Sequence, residues 1–72
     1  MKKSELFEEI ADIFELEEEV NEETTISVDS LALLSLIAFF DENFGMQLTG
    51  SDTKNVSKVT DLIKIAGPEK FS

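Results

Sequence analysis

Residues 29 to 45 read DSLALLSLIAFFDENFG and contain the two longest apolar runs of this 72-residue chain. Asp29 is a favoured residue for capping the start of a helix, and Gly45 is the residue type that most often follows a helix end. The stretch between them therefore predicts a helix from Ser30 to Phe44, roughly 22 Å long at 1.5 Å per residue.

This predicted helix is apolar on nearly all of its faces. Among the ten residues that follow Ser30, only Ser35 is polar. A helix of this kind either lies in the centre of a core or exposes an apolar strip to a partner. A domain of this size cannot cover the helix on every side, so we expect some of the following side chains to stay accessible: Leu31, Leu33, Leu34 and Ala38.

The rest of the chain predicts an all-α fold in a single domain, residues 1 to 72, with three main helices and one short one. Apolar residues recur at three- and four-residue spacing from Leu6 to Phe14, which is typical of an amphipathic helix. The expected helices span residues 4 to 16, 30 to 44, 50 to 55 and 58 to 66. We expect Ser4 and Ser57 to cap the first and the last of them. Val20 and Ile26 should turn inward, and the last four residues should fray.

The charge of the chain limits its partners. Sixteen acidic residues oppose six basic ones, which gives a formal net charge of −10. Nucleic acids and anionic membrane surfaces repel such a chain, so we expect basic partner proteins and no nucleic-acid binding. We also expect salt or divalent cations to relieve the self-repulsion of a monomer. The apolar runs are too short to cross a bilayer and no signal core is present, which predicts a cytoplasmic protein without membrane insertion.

Two missing residue types exclude several chemistries. The chain has no cysteine and no histidine. Disulfides and thiolate metal sites are therefore excluded, as is a Ser-His-Asp triad. The run Glu17-Glu18-Glu19 lacks the alternating carboxylates and the glycine of a calcium loop. We therefore expect no metal site and no catalytic residue, and hence no enzyme.

The tripeptide Asp29-Ser30-Leu31 has both a structural and a functional interpretation. In the structural one, Asp29 caps the helix and Leu31 enters the core. In the functional one, Ser30 offers its hydroxyl at the helix start. A phosphodiester at that hydroxyl would lie against unpaired N–H groups and the positive end of the helix dipole. The chain has no histidine, the usual base near neutral pH, to activate Ser30, so we expect another enzyme to do so.

The order and spacing of these residues resemble the acyl carrier protein family. The similarity begins at Val28 and includes DSLALLSLI, residues 29 to 37. It continues without a gap through Phe40, the DENFG turn at 41 to 45, Leu48, Val56 and Val59, and ends at Ile63. The first helix fits more loosely. The resemblance implies a four-helix acyl-carrier-type bundle with a short third helix.

The resemblance also implies roles for individual residues. Ser30 matches the serine that accepts 4′-phosphopantetheine from coenzyme A, and Asp29 matches the adjacent acidic residue that the phosphopantetheinyl transferase recognises. Acyl-loading and acyl-using enzymes would dock on Leu31, Leu34 and Ala38. The core residues that resemble the lining of a cleft for the acyl chain are Leu36, Phe40 and Phe44.

The sequence departs from the family pattern near the serine. Ser27 stands where the family usually has glycine, and the loop before Ser30 is shorter than in carriers of fatty acid synthesis. Ala32 and Ser35 replace two carboxylates on the second helix, and residues 50 to 55 are less acidic than usual. We therefore hypothesise a carrier whose partners dock more through aliphatic contacts than through salt bridges, since aliphatic burial does not weaken with salt.

Several functions remain open at this stage. The cargo could belong to fatty acid, polyketide or related specialised biosynthesis. A peptidyl, aryl or D-alanyl carrier is an alternative within the family, although the Gly-Gly typical of peptidyl carriers is replaced here by Ser27-Val28. A second class is an acidic helical interaction module without a prosthetic group, which predicts that Ser30→Ala leaves function intact.

Overall fold

The longest helix, α2, spans Ser30–Phe44 in a computed structural model that describes all 72 residues. Its bounds confirm the prediction. The Asp29 carboxylate accepts a hydrogen bond from the Ala32 N–H at 2.8 Å, which closes the first turn. At the other end Gly45 adopts a left-handed conformation with φ 60°, and its N–H reaches the Asp41 carbonyl at 3.1 Å. A residue with a side chain would be strained at such a φ, which explains why a glycine ends this helix.

The first helix, α1, spans Lys3–Ile13, so it begins one residue before the predicted start and ends three residues before the predicted end at residue 16. Ser4 is not its cap, because the helix begins one residue earlier and the Glu5 carboxylate accepts the Lys2 N–H at 3.2 Å. At the C-terminal end Glu15 has a positive φ of 54°, and the Leu16 N–H turns back to the Ala11 carbonyl at 2.9 Å. This is the hydrogen-bond pattern of a Schellman turn, which ends a helix at once.

Two shorter helices follow α2. The short helix α3 spans Gly50–Thr53 and α4 spans Val59–Ala66, close to the predicted 50 to 55 and 58 to 66. Ser57 was predicted to cap α4, but Lys58 holds the cap position. The Asp61 carboxylate accepts the N–H groups of Ser57 and Lys58 at 2.9 and 3.0 Å. These two backbone hydrogen bonds lower the pKa of Asp61 below its ordinary value of 3.8, and the bond from Ser57 has the larger effect.

The helices share one core that α2 crosses. Leu36 and Phe40 of α2 are completely buried, and Val20 and Ile26 of the long connection are buried as predicted. The core residues are Leu6, Ile10, Val20, Ile26, Leu36, Phe39, Phe40, Leu48, Val59, Leu62, Ile63 and Ala66. The fold contains four α-helices and no strand, which confirms the all-α prediction.

The connection between α1 and α2 is attached to the start of α4. The Ile26 N–H donates to the Ser57 carbonyl at 2.9 Å, and the Val59 N–H donates to the Thr24 carbonyl at 3.0 Å. Thr25 and Lys58 form an isolated antiparallel bridge between these segments. The loop that leads to Ser30 is therefore fixed at its middle, and Ser27 and Val28 then approach α2 without backbone hydrogen bonds.

The last residues are held in place, so the prediction that they fray was wrong. A 3-10 helix spans Pro68–Lys70. The Ser72 N–H donates to the Met1 carbonyl at 3.0 Å, and the Phe71 ring lies edge-on to Phe44 with centroids 5.5 Å apart. The two ends of the chain therefore close on each other. None of the helices has both the length and the apolar character needed to cross a membrane.

Candidate functional site

Ser30 is the first residue of α2 and is exposed. Asp29 is also exposed, and its side chain and carbonyl oxygen accept hydrogen bonds from Ala32 and Leu33, both at 2.8 Å. The predicted capping role of Asp29 is thus confirmed. One oxygen of the Asp29 carboxylate accepts the Ala32 N–H, so the other oxygen is available to an approaching protein.

The N–H groups of Ser30 and Leu31 have no acceptor within the protein. Both point out of the first turn of a fifteen-residue helix. Unpaired donors at the positive end of a helix dipole stabilise a nearby anion. The start of α2 therefore fits a phosphodiester on the Ser30 hydroxyl, whereas a neutral group there would leave these donors to water.

A cleft of about 520 Å³ opens beside Ser30, between the start of α2 and α3. Ile26, Val28, Leu33 and Val56 provide its apolar lining. Lys54 also lines it and is the one lysine that borders any of the four clefts of this protein. This Ser30 cleft has room for a flexible chain attached at Ser30, with a cation nearby to offset a negative charge.

The predicted docking residues lie on one face of α2 and are accessible. Leu31 is 77% exposed and Leu34 is 65% exposed, and they are the only large hydrophobic side chains of the protein that are exposed. Ala38, one turn further, is exposed too, whereas Leu33 is partly buried. The structural interpretation in which Leu31 enters the core was wrong. We call Leu31, Leu34 and Ala38 the leucine strip.

The residues expected to line an acyl-chain cleft are packed together instead. Leu36 and Phe40 are completely buried. The Phe44 ring lies edge-on to Phe40 and Phe39, with centroid distances of 5.3 and 5.9 Å. None of the three predicted residues lines a cleft. The cleft that borders Ser30 is the Ser30 cleft at the surface, with four apolar residues among the eleven that line it, and not a chamber in the core.

Sequence reasoning missed a second cleft on the other side of α2. This α1–α2 cleft has a volume of about 340 Å³. Its lining includes Asp12, Phe14 and Glu15 from the end of α1, together with Asp29 and Leu31. The predicted helix placed Glu15 within α1, and no sequence pattern indicates that this residue adopts a left-handed conformation.

Comparisons with protein-family models, with curated proteins and with solved structures gave no match.

Proposed function

We propose that this protein is an acyl carrier protein that carries acyl groups as thioesters on a 4′-phosphopantetheine arm attached to Ser30. One observation carries the proposal: the Ser30 hydroxyl is exposed at the first position of a helix whose neighbouring N–H groups are unpaired. The resemblance of residues 28 to 63 to the family adds the identity of the arm. The four helices would then form an acyl-carrier-type bundle.

The attachment step needs an outside enzyme. In that step the Ser30 oxygen attacks the pyrophosphate phosphorus next to the pantetheine of coenzyme A. The new P–O bond replaces the bond to adenosine 3′,5′-bisphosphate, which leaves, and the Ser30 proton passes to a base of the transferase. The chain has no histidine, the most common general base near neutral pH, and the Asp29 carboxylate next to Ser30 already accepts the Ala32 N–H.

The residues around Ser30 suit the group that would be attached. The unpaired N–H groups of Ser30 and Leu31 would face its phosphate, and the Ser30 cleft would accept part of its length. When bound, the arm supplies a terminal thiol for the thioester. The protein itself contributes position and a docking surface, and partner enzymes contribute catalysis. The leucine strip is the surface we assign to those partners.

Intact mass spectrometry tests this proposal directly. The purified protein is incubated with coenzyme A, magnesium and a broad-specificity phosphopantetheinyl transferase. We expect one phosphopantetheine per chain in the wild type and in Ser35→Ala, but none in Ser30→Ala. Ser35 is the matched control because it is also an exposed serine of α2. Loss of addition in both variants would contradict attachment at Ser30.

A second candidate is an acidic helical interaction module without an arm. The exposure of Leu31 and Leu34 favours it, since an apolar strip can bind a partner whether or not Ser30 is modified. If a wild type that circular dichroism shows to be folded acquires no mass, this candidate takes first place. If one arm is added at Ser30, the cargo becomes the next question. Loading assays with fatty-acyl, amino-acyl and aryl ligases would then separate the carrier types.

A further inference from the structure

The α1–α2 cleft combines an apolar lining with a carboxylate rim. Ile13, Phe14 and Ala32 contribute apolar surface, and Leu31 of the leucine strip lies at its edge. The carboxylates come from three places: Asp12 in α1, Glu15 just after it, and Asp29 before α2. A partner that covers the leucine strip would therefore also reach this cleft.

The carboxylates of the cleft are available to a partner. Neither the Asp12 nor the Glu15 side chain forms a hydrogen bond or an ion pair within the protein. Asp29 uses one oxygen for the Ala32 N–H and keeps the other free. No lysine lines the cleft. A cation placed here would therefore not have to displace a resident partner.

The volume of the cleft and the separation of its carboxylates indicate a large cation rather than a metal ion. No three acidic side chains of the protein are arranged to hold a metal ion, so these carboxylates do not converge on a point. A guanidinium is planar, is more weakly hydrated than an ammonium and stacks on aromatic rings. An arginine stem can also lie along apolar surface while its head stays near water and carboxylates.

We propose that the α1–α2 cleft receives an arginine side chain of a partner protein that docks on the leucine strip. The arginine stem would lie against Leu31 and Phe14, and its guanidinium would pair with Asp12 and Glu15. The inference takes from the proposed function only that a partner docks over Leu31 and Leu34. It adds the chemistry of that partner. It also assigns the acidic part of the interface to α1 and the residue after it, because α2 has Ala32 and Ser35 at the positions where the family has carboxylates.

Charge segregation supports a cationic group at this place. Residues 1 to 29 contain eleven acidic residues and two lysines, whereas residues 30 to 72 contain five acidic residues and four lysines. The net charges are therefore −9 and −1. The cleft lies where the acidic part meets the leucine strip, so a partner with apolar side chains and one arginine beside them complements both surfaces.

The test is an NMR titration of the isotope-labelled protein with the peptide acetyl-Ala-Leu-Arg-Ala-amide. The control peptide carries citrulline, which has nearly the same shape as arginine but no charge. We expect saturable shifts of the amides of Phe14, Glu15, Leu31 and Ala32 with the arginine peptide. Since each exposed ion pair contributes about 0.2–1 kcal/mol, we expect binding about fivefold weaker with citrulline.

Two double variants test the location. Asp12→Asn with Glu15→Gln should abolish the preference for arginine over citrulline. Glu9→Gln with Glu17→Gln removes the same charge from exposed residues that line no cleft, and should keep the preference. Equal binding of both peptides, or equal loss in both variants, would overturn the proposal. Thermal unfolding of each variant checks that it is folded.

Loading of Ser30 by the transferase is a separate measurement on the same samples. Normal loading without arginine selectivity would remove the arginine site and leave the carrier function standing. Selective arginine binding without loading of the wild type would keep the site and remove the carrier function. The two proposals can therefore fail independently.

Discussion

The helices α1 and α2 form the two walls of one cleft, but they expose opposite chemistry. α1 buries Leu6 and Ile10 and presents carboxylates to solvent, and its part of the chain, residues 1 to 29, carries a net charge of −9. α2 buries more apolar surface and still exposes Leu31 and Leu34, and residues 30 to 72 carry −1.

Because of this difference, the two helices would act on a partner over different distances. Charges attract a partner over a screening length of about 10 Å at 0.1 M salt. Apolar side chains contribute only when water leaves the contact, at about 25 cal/mol per Å². The α1 region would therefore guide the approach of a basic partner, and the leucine strip of α2 would hold it.

The largest expected effect tests how much more deeply Phe40 of α2 lies in the core than Phe7 of α1. Phe40 of α2 is completely buried, whereas Phe7 of α1 is partly buried. We expect Phe40→Ala to lower the free energy of unfolding by about 3–5 kcal/mol, because it leaves a cavity. Phe7→Ala should lower it by about 1–2 kcal/mol. Urea unfolding measures both, and equal losses would contradict the deeper burial of Phe40.

The loss at Phe40 is large relative to the total. A chain of this length has a free energy of unfolding of about 4–11 kcal/mol, at about 0.05–0.15 kcal/mol per residue. If the wild type has a free energy of unfolding below about 5 kcal/mol, circular dichroism without denaturant should show Phe40→Ala to be partly unfolded at room temperature. Phe7→Ala should retain its full helical signal.

The next prediction concerns the residues that follow the two helices. Both adopt a left-handed backbone conformation, but one is a glutamate and the other a glycine. Glu15 follows α1 with φ 54°, and Gly45 follows α2 with φ 60°. Glu15→Gly should raise the free energy of unfolding by about 0.5–1 kcal/mol, since glycine is not strained there. Gly45→Ala should lower it by about 1 kcal/mol from backbone strain alone, because a Cβ would meet no atom within 4 Å.

The pair also separates stability from binding. If the Glu15 carboxylate pairs with the guanidinium in the α1–α2 cleft, Glu15→Gly should weaken binding of the arginine peptide. The same variant should raise the melting temperature by about 2–8 °C. Thermal unfolding and the NMR titration measure the two effects on one sample. A lower melting temperature for Glu15→Gly would mean that contacts of its side chain outweigh the backbone strain.

The bounds of α2 could be predicted because the determining interactions are local. Asp29 and Gly45 act within four residues of themselves, and the apolar run lies between them. The end of α1 could not be predicted, because Phe14 and Leu16 continue the apolar spacing and Glu15 gives no indication of its positive φ. Ser4 and Ser57 were wrong as caps because Glu5 and Asp61 supply the capping oxygens from within the first turns.

The site divides in the same way. The positions of Ser30, Leu31 and Leu34 follow from a single helix and were predicted. The α1–α2 cleft depends on the angle at which α1 packs against α2, and the hydrophobic periodicity of the sequence does not give that angle. The fixed C-terminus was missed for the same reason, since Phe71 is held by Phe44, a residue distant in sequence.

The smallest expected effect tests the segregation of charge. Raising sodium chloride from low concentration to about 0.5 M should stabilise the wild type by about 0.5 kcal/mol, because salt screens repulsion among the carboxylates of residues 1 to 29. Replacing Glu9, Glu17 and Glu18 by glutamine should remove most of this gain. Amide replacements of Asp41, Glu42 and Glu69 change the charge equally in the other part of the chain and should leave the gain intact. Thermal unfolding at both salt concentrations measures it. The same salt gain in both triple variants would show that repulsion is spread over the whole surface, and the division between α1 and α2 would then apply to contacts but not to the electrostatic field.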